Sequence, residues 1–143
     1  MGRAVSRLYL DTSTIINLLE AVSPFHEAAI TAIQRHCGLS TGARTEILTS
    51  RLSRMECRVK PLRQGDQTLL AKYDAFFSQS GLILAEISAA VIEQATEIRV
   101  RYRFKTPDAI HLATAIENNI AVFLTGDGEL ARCTALNVEV VTP

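Results

Sequence analysis

Asp11, Glu56, Asp108 and Asp127 are widely separated along the chain, yet each falls where a strand or loop hands over to an expected helix. In an open α/β sheet such handovers gather at the carboxyl edge of the strands, where ligands bind. Asp11 and Asp127 both follow strongly hydrophobic runs that read as parallel, buried strands, so these two face one crevice. Carboxylates brought together repel: one pair at about 4 Å and an effective dielectric of ~20 costs about 4 kcal/mol before relaxation. A cation or proton uptake resolves that cost. Oxygen donors with no neighbouring Cys or His cluster suit Mg2+ or Mn2+ rather than zinc, and such ions commonly act on phosphates.

Each acid also has an ordinary explanation when taken alone. Asp11 can cap the helix that Thr12 and Ser13 open. Glu56 stands three residues after Ser53, so Ser53-Arg54-Met55-Glu56 fits a capping box if a helix starts there. Asp108, just after Pro107, suits the positive end of a helix, and Asp127 in Thr125-Gly126-Asp127-Gly128 suits a turn. Thr12, Ser13 and Thr125 can orient water or ligands around the acids, or serve only as helix-start and turn hydroxyls. His111 lies one turn after Asp108 and could hydrogen-bond near the site, but it reads first as a packed or surface histidine, since nothing else forms a His-based acid–base pair with it.

The elements that must hold these residues alternate between short β-rich runs and longer helical stretches, an α/β signature. Arg7–Leu10 reads as a first strand and Thr12 to about Glu20 as a helix. A second helix starts at Pro24 and ends near His36 to Gly38, followed by a loop over Ser40–Arg44. Glu46–Thr49 is a second strand, with a helix from Ser50 to Lys60 stopping before Pro61. Asp66–Ser80 is the next helix, Leu82–Ala85 the third strand, and Ser88 caps a helix carrying Val91, Ile92, Ala95 and Ile98. Thr106-Pro107 starts another helix, Ile120–Leu124 is a fourth strand, and after a short helix Val138–Val141 is an edge strand. No linker, repeat or low-complexity segment interrupts this, so residues 1–143 read as one domain of α/β/α layers around a parallel sheet of four to five strands.

A chain of 143 residues can bury enough surface for a core without a staple. Three cysteines, Cys37, Cys57 and Cys133, form neither a zinc spacing nor a disulfide scaffold, which points to a reducing, cytoplasmic setting. No apolar run is long enough for a bilayer, so no membrane partner is expected. The 15 basic and 15 acidic residues cancel, which excludes nucleic-acid binding through a global positive field. Local patches persist, because all the basic residues except Lys60, Lys72 and Lys105 are arginine. Arg51, Arg54 and Arg58 flank the Glu56 motif and suit phosphate or carboxylate contacts, or form a solvated face with pairs such as Glu56 with Lys60 and Glu97 with Arg101.

Four stretches in order, Tyr9-Leu10-Asp11-Thr12-Ser13, Ser53 to Val59, Thr106 to Ala115 with its Pro107-Asp108-Ala109-Ile110-His111, and Phe123-Leu124-Thr125-Gly126-Asp127, resemble the successive motifs of a PIN domain. Among PIN proteins the chain is most similar to the VapC-type toxins of prokaryotic toxin–antitoxin pairs. The resemblance implies a parallel sheet flanked by helices, a homodimer, a VapB-like antitoxin partner, and a Mg2+- or Mn2+-dependent ribonuclease site. Carried over by position, Asp11 and Asp108 are the principal metal ligands, and Glu56 and Asp127 complete the cluster directly or through water. Water activated by the metal would then attack phosphorus in line and expel the 3′ oxygen of the RNA. The fourth motif departs from many relatives, because Gly128-Glu129-Leu130 follows Asp127 where an aromatic often stands, which leaves the division of roles between Asp127 and Glu129 open.

Overall fold

In the computed structural model, described for residues 5–20, 22–38 and 44–143, β1 (Val5–Leu10) and β2 (Arg44–Ser50) are joined through α1 (Thr12–Leu19) and α2 (Phe25–His36). Then come α3 (Arg51–Gln64), α4 (Gln67–Ser78), β3 (Leu82–Ala85), α5 (Ala89–Tyr102), α6 (Thr106–Glu117), β4 (Val122–Thr125), a short 3-10 helix (Gly128–Arg132) and β5 (Val138–Val140). All five strands are parallel and lie in the order β3-β2-β1-β4-β5. The chain therefore winds outward from β1 in one direction and from β4 in the other. The boundary between those two strands is the switch point where a crevice opens beyond the carboxyl ends.

Alternation along the strands builds two apolar layers. On β1, Leu8 and Leu10 point to one face with Ile15, Ala29, Cys57, Tyr73 and Phe77, whereas Tyr9 points to the other with Val91, Ile98, Leu112 and Phe123. The first layer belongs to α1 through α4, the second to α5 and α6, which gives the expected three layers. Both central strands are buried on both faces, so they read as continuous apolar runs rather than alternating ones. At the register point Leu10↔Leu124, Asp11 and Thr125 emerge side by side at the carboxyl edge.

Several boundaries differ from the sequence expectation for identifiable reasons. α3 runs through Pro61 to Gln64 instead of stopping at Lys60. The proline ring forfeits one hydrogen bond near the end of the helix, but Pro61 is buried, and Gly65 at φ 66° closes the helix with Asp66 N–H donating to Pro61 O at 2.9 Å. Ser53 does not start a capping box. The cap is Ser50, whose hydroxyl accepts from Ser53 N–H at 3.2 Å, so Glu56 sits in the second turn with its side chain free for other work. α4 is shorter than Asp66–Ser80: Asp66 is its cap, accepting from Leu69 N–H at 3.0 Å, and at the other end Gln79 is already extended, so the helix stops at Ser78. Ser88 caps α5 as expected. β4 is shifted to Val122–Thr125, since Ile120 N–H still bonds back to Ala115 O at the end of α6. β5 is an edge strand as expected, one residue shorter. Of the loop expected over Ser40–Arg44, Arg44 opens β2 and the other residues lie outside the described ones.

Candidate functional site: an acidic cluster at the carboxyl edge

β1 ends by delivering Asp11 into a buried position, 6% exposed, beyond the switch point. Its backbone occupies the cap position of α1, but its side chain makes no cap hydrogen bond. Oδ2 instead accepts from Thr125 Oγ1 at 2.7 Å and Ser13 Oγ at 3.1 Å. The capping explanation for this carboxylate therefore falls. Its position is fixed by the sheet: Asp11 N–H donates to Leu124 O at 2.9 Å, and Thr49 Oγ1 donates to Leu10 O at 2.8 Å. Thr125 is a junction, fully buried, donating to Asp11 while accepting from Asp127 N–H at 3.0 Å. Ser13 Oγ accepts from Gly126 N–H at 2.8 Å, which ties the two strand ends together.

Glu56 reaches the same edge from α3. Its Oε1 accepts from Thr12 Oγ1 at 2.7 Å and from His111 Nε2 at 2.6 Å. Burial pushes the Glu56 carboxyl up, but the His111 and Thr12 hydrogen bonds outweigh it and hold the group below the ordinary glutamate range. The Glu56–Lys60 pair considered from sequence does not form, because Lys60 bridges Glu20 at 2.6 Å.

Asp108 occupies the first turn of α6, and its carboxyl is pushed above the ordinary aspartate range. Burial is the largest cause, followed by the negative charges of Asp11 and Asp127, with Glu56 adding to them and His111 opposing. Asp108 thus feels charge carried by residues at the ends of β1 and β4 and on α3, all at the carboxyl edge of the sheet. Asp127 is the outermost member. It is exposed, and its Oδ1 accepts from Glu129 N–H at 2.9 Å, so its turn-and-cap role is real. Glu129 is exposed and pairs with Arg132 at 3.2 Å.

Two residues proved more central than their sequence context suggested. His111 is packed, as expected, but it is also wired into the acids. It is 2% exposed, its Nδ1 lies 2.8 Å from Tyr9 Oη, its Nε2 contacts Glu56, and Asp11 Oδ1 is 3.9 Å away. Burial disfavours its charge, yet the Glu56 hydrogen bond and the charges of Asp11, Glu56 and Asp108 raise its pKa above the ordinary histidine value. The available signal was its spacing from Asp108, three residues on and therefore on the same helix face. Tyr9 carried no such signal: a tyrosine inside an apolar strand reads as core, and only the fold shows its hydroxyl aimed at His111. Burial raises that hydroxyl's pKa above the ordinary tyrosine range, so it keeps its proton.

Of the flanking arginines, Arg51 pairs with Glu86 at 2.9 Å and Arg58 with Asp74 at 2.8 Å, while Arg54 has no ion-pair partner among the described residues. A groove of ≈ 510 Å³ between α2 and the last residues, lined by Thr31, Arg35, Glu139 and Val141 among others, contains none of the acids. Charge rather than concavity marks the candidate site. Among the described residues no three His, Cys, Asp or Glu side chains converge as a ready-made metal cage. Mg2+ normally keeps several waters and takes one or two protein carboxylates. Buried Asp11 and half-buried Asp108, whose carboxyl is raised by burial and by like charge, offer the carboxylate oxygens that a hydrated hard cation of that kind takes.

The chain matches a known family over most of its length. The PIN domain model aligns with residues 8–136, and the chain belongs to the PIN domain family. No curated protein matches it significantly by sequence. Among solved structures it resembles VapBC2 from Rickettsia felis bound to a promoter DNA fragment, with a TM-score of 0.74 at 15% identity over 95% of this chain and 99% of that one. It also resembles a toxin–antitoxin complex from Klebsiella pneumoniae (0.70, 20% identity, 94% and 98% covered). A third is VapC20 of Mycobacterium tuberculosis, described as a Sarcin-Ricin loop cleaving toxin (0.68, 19% identity, 89% and 95% covered). Among the described residues no helix is long and apolar enough to cross a membrane.

Proposed function

We propose that the chain is a divalent-metal-dependent endoribonuclease and the toxin of a toxin–antitoxin pair. The observation that carries the reading is the placement of acids from separate elements at the carboxyl edge, with buried Asp11 anchored by Thr125 and Ser13 and Asp108 pushed up by burial and by the charges of Asp11 and Asp127. Asp11 and Asp108 would hold Mg2+ or Mn2+, with Glu56 and Asp127 completing the cluster directly or through water. When bound, such an ion neutralises a phosphate oxygen and lowers the pKa of a water for in-line attack on phosphorus. The chain's own contribution is positional. Thr125 and Ser13 hold Asp11 by one oxygen, Thr12 and His111 hold Glu56 by one oxygen, and the remaining carboxylate oxygens are directed by these anchors.

RNA as substrate, a VapB-like antitoxin and a homodimer belong to this reading, supported by family membership and by neighbours whose descriptions name toxin–antitoxin complexes. Arg54 is the best placed of the three flanking arginines for an RNA phosphate or an antitoxin carboxylate, because Arg51 and Arg58 already have acidic partners. Three free cysteines accord with a reducing, cytoplasmic location. Inducible expression with RNA-end sequencing, comparing wild type with Asp11→Ala, tests the reading. Growth arrest with discrete new RNA ends, absent in the variant, is expected. Metal-dependent cleavage without growth arrest would replace it with a PIN nuclease of RNA processing, and no cleavage at all with an inactive binding module.

A further inference from the structure

We propose that Tyr9 and His111 form a positioning relay that anchors Glu56 by Oε1 and so presents Oε2 to the metal; the proposal rests on the metal-nuclease reading above. The two donors to Oε1 are short, 2.6 Å from His111 Nε2 and 2.7 Å from Thr12 Oγ1, and Oε2 accepts no hydrogen bond from the described residues. A glutamate side chain has three rotatable bonds and ordinarily samples several rotamers. Two donors on one oxygen remove that freedom and decide which oxygen is left over.

The hydrogen on Nε2 follows from chemistry alone. A carboxylate oxygen can only accept, so Nε2 must carry a proton in either charge state of the ring. Nδ1 then meets Tyr9 Oη at 2.8 Å, as acceptor in the neutral ring and as donor in the cationic one. Tyr9 cannot move to follow: it is 0% exposed, and its ring stacks on Phe123 with centroids 4.9 Å apart and planes 7° apart. The aromatic pair is held in turn by β1 and β4, which pair in register at Tyr9↔Phe123. The rigid centre of the sheet thus fixes the imidazole on α6, and the imidazole fixes a carboxylate on α3. Losing an outer partner of a metal-binding residue typically weakens metal binding by about 10–100-fold.

The test is Mn2+ binding by isothermal titration, with thermal melts of the same samples, for wild type, His111→Leu, His111→Gln and Tyr9→Phe. His111→Leu should bind Mn2+ about tenfold more weakly. His111→Gln, whose amide can still donate to Glu56, should recover most of the loss. Tyr9→Phe, which keeps the ring and removes only the hydroxyl, should show a smaller loss and decides the matter if His111→Leu does not fold. Nitrogen-resolved imidazole spectra of metal-free protein should show a hydrogen-bonded proton on His111 Nε2 that is lost in Glu56→Ala. Variants that melt earlier yet bind Mn2+ as wild type does would overturn the relay and leave only a structural hydrogen bond. Wild-type protein that takes up no Mn2+ would instead overturn the metal reading itself, a different and recognisable result.

Discussion

The two ends of β1 treat charge in opposite ways. Near the amino end, Arg7 meets Glu46 of the neighbouring strand at 3.1 Å and also donates to Asn118 O at 3.0 Å. Elsewhere off the site the pattern repeats: Glu139 has both Arg35 and His36, and Glu20 has Lys60 and the hydroxyl of Tyr73 at 2.6 Å. At the carboxyl end of the same strand, the acids Asp11, Glu56, Asp108 and Asp127 have one buried histidine, bonded to Glu56, and hydroxyls that serve Asp11 and Glu56. The acids named off the site each have a cationic partner, whereas here Asp11 is held by hydroxyls, Glu56 takes the histidine, and Asp108 is left facing like charge. Repulsion of this kind does not stabilise a fold, so its persistence is an argument for a ligand that removes it.

The largest expected effect breaks the comparison on the uncompensated side. Asp108→Asn deletes a ligand charge and no core volume, so RNA cleavage should fall by about 100-fold or more, beyond what loss of an outer partner gives. The same variant should melt at or above the wild-type temperature without metal, because it relieves the repulsion from Asp11 and Asp127. Unfolding of Asp108→Asn on circular dichroism would contradict this account.

Thr125→Val sharpens the comparison by removing a donor rather than a charge. Without its bond to Asp11 Oδ2, Mn2+ affinity measured by titration should weaken about tenfold, and stability should drop by about 1 kcal/mol in denaturant melts. Arg7→Met, at the neutralised end, should cost about 1 kcal/mol or less and leave cleavage kinetics unchanged. A cleavage defect in Arg7→Met would erase the distinction between the two ends.

The smallest effect is on pH. Asp108 has a folded pKa above its unfolded value, so within that window the folded state holds more protons and metal-free stability declines as pH rises through it. Glu56 works in the other direction: its folded pKa is lowered, so its contribution is present above the ordinary glutamate value and lost as pH falls through the folded one. Melting curves of metal-free wild type and Asp108→Asn across the acid range should therefore differ in slope, with the decline attributable to Asp108 missing in the variant.

Much of this was legible in the sequence, because Asp11, Asp108 and Asp127 sit at or just inside element junctions, which strong local signals mark, whereas Glu56 lies in the second turn of α3 and not at the handover expected for it. Apolar runs ended at Asp11 and Thr125, Pro107 opened α6, and Ser88 capped α5 as read. The strand count and parallel sheet followed from the same alternation. What was not legible depended on tertiary packing. The continuation of α3 through Pro61 rests on burial of that proline and closure at Gly65, neither of which a local rule sees. Ser53 looked like a cap because the true cap, Ser50, stands three residues earlier with similar chemistry. Tyr9 and His111 are apolar-looking positions in a strand and a helix, and only the crossing of β1, α3 and α6 brings the Tyr9 hydroxyl to His111 and His111 to Glu56.

The most direct test is cleavage of RNA by the purified chain with Mg2+ or Mn2+, with excess EDTA, and with EDTA followed by metal restoration, alongside Asp108→Asn. The carboxyl-edge site predicts cleavage that EDTA abolishes and added metal restores, and that Asp108→Asn lacks although it is folded. Cleavage that persists in excess EDTA, or full activity in Asp108→Asn, would contradict it.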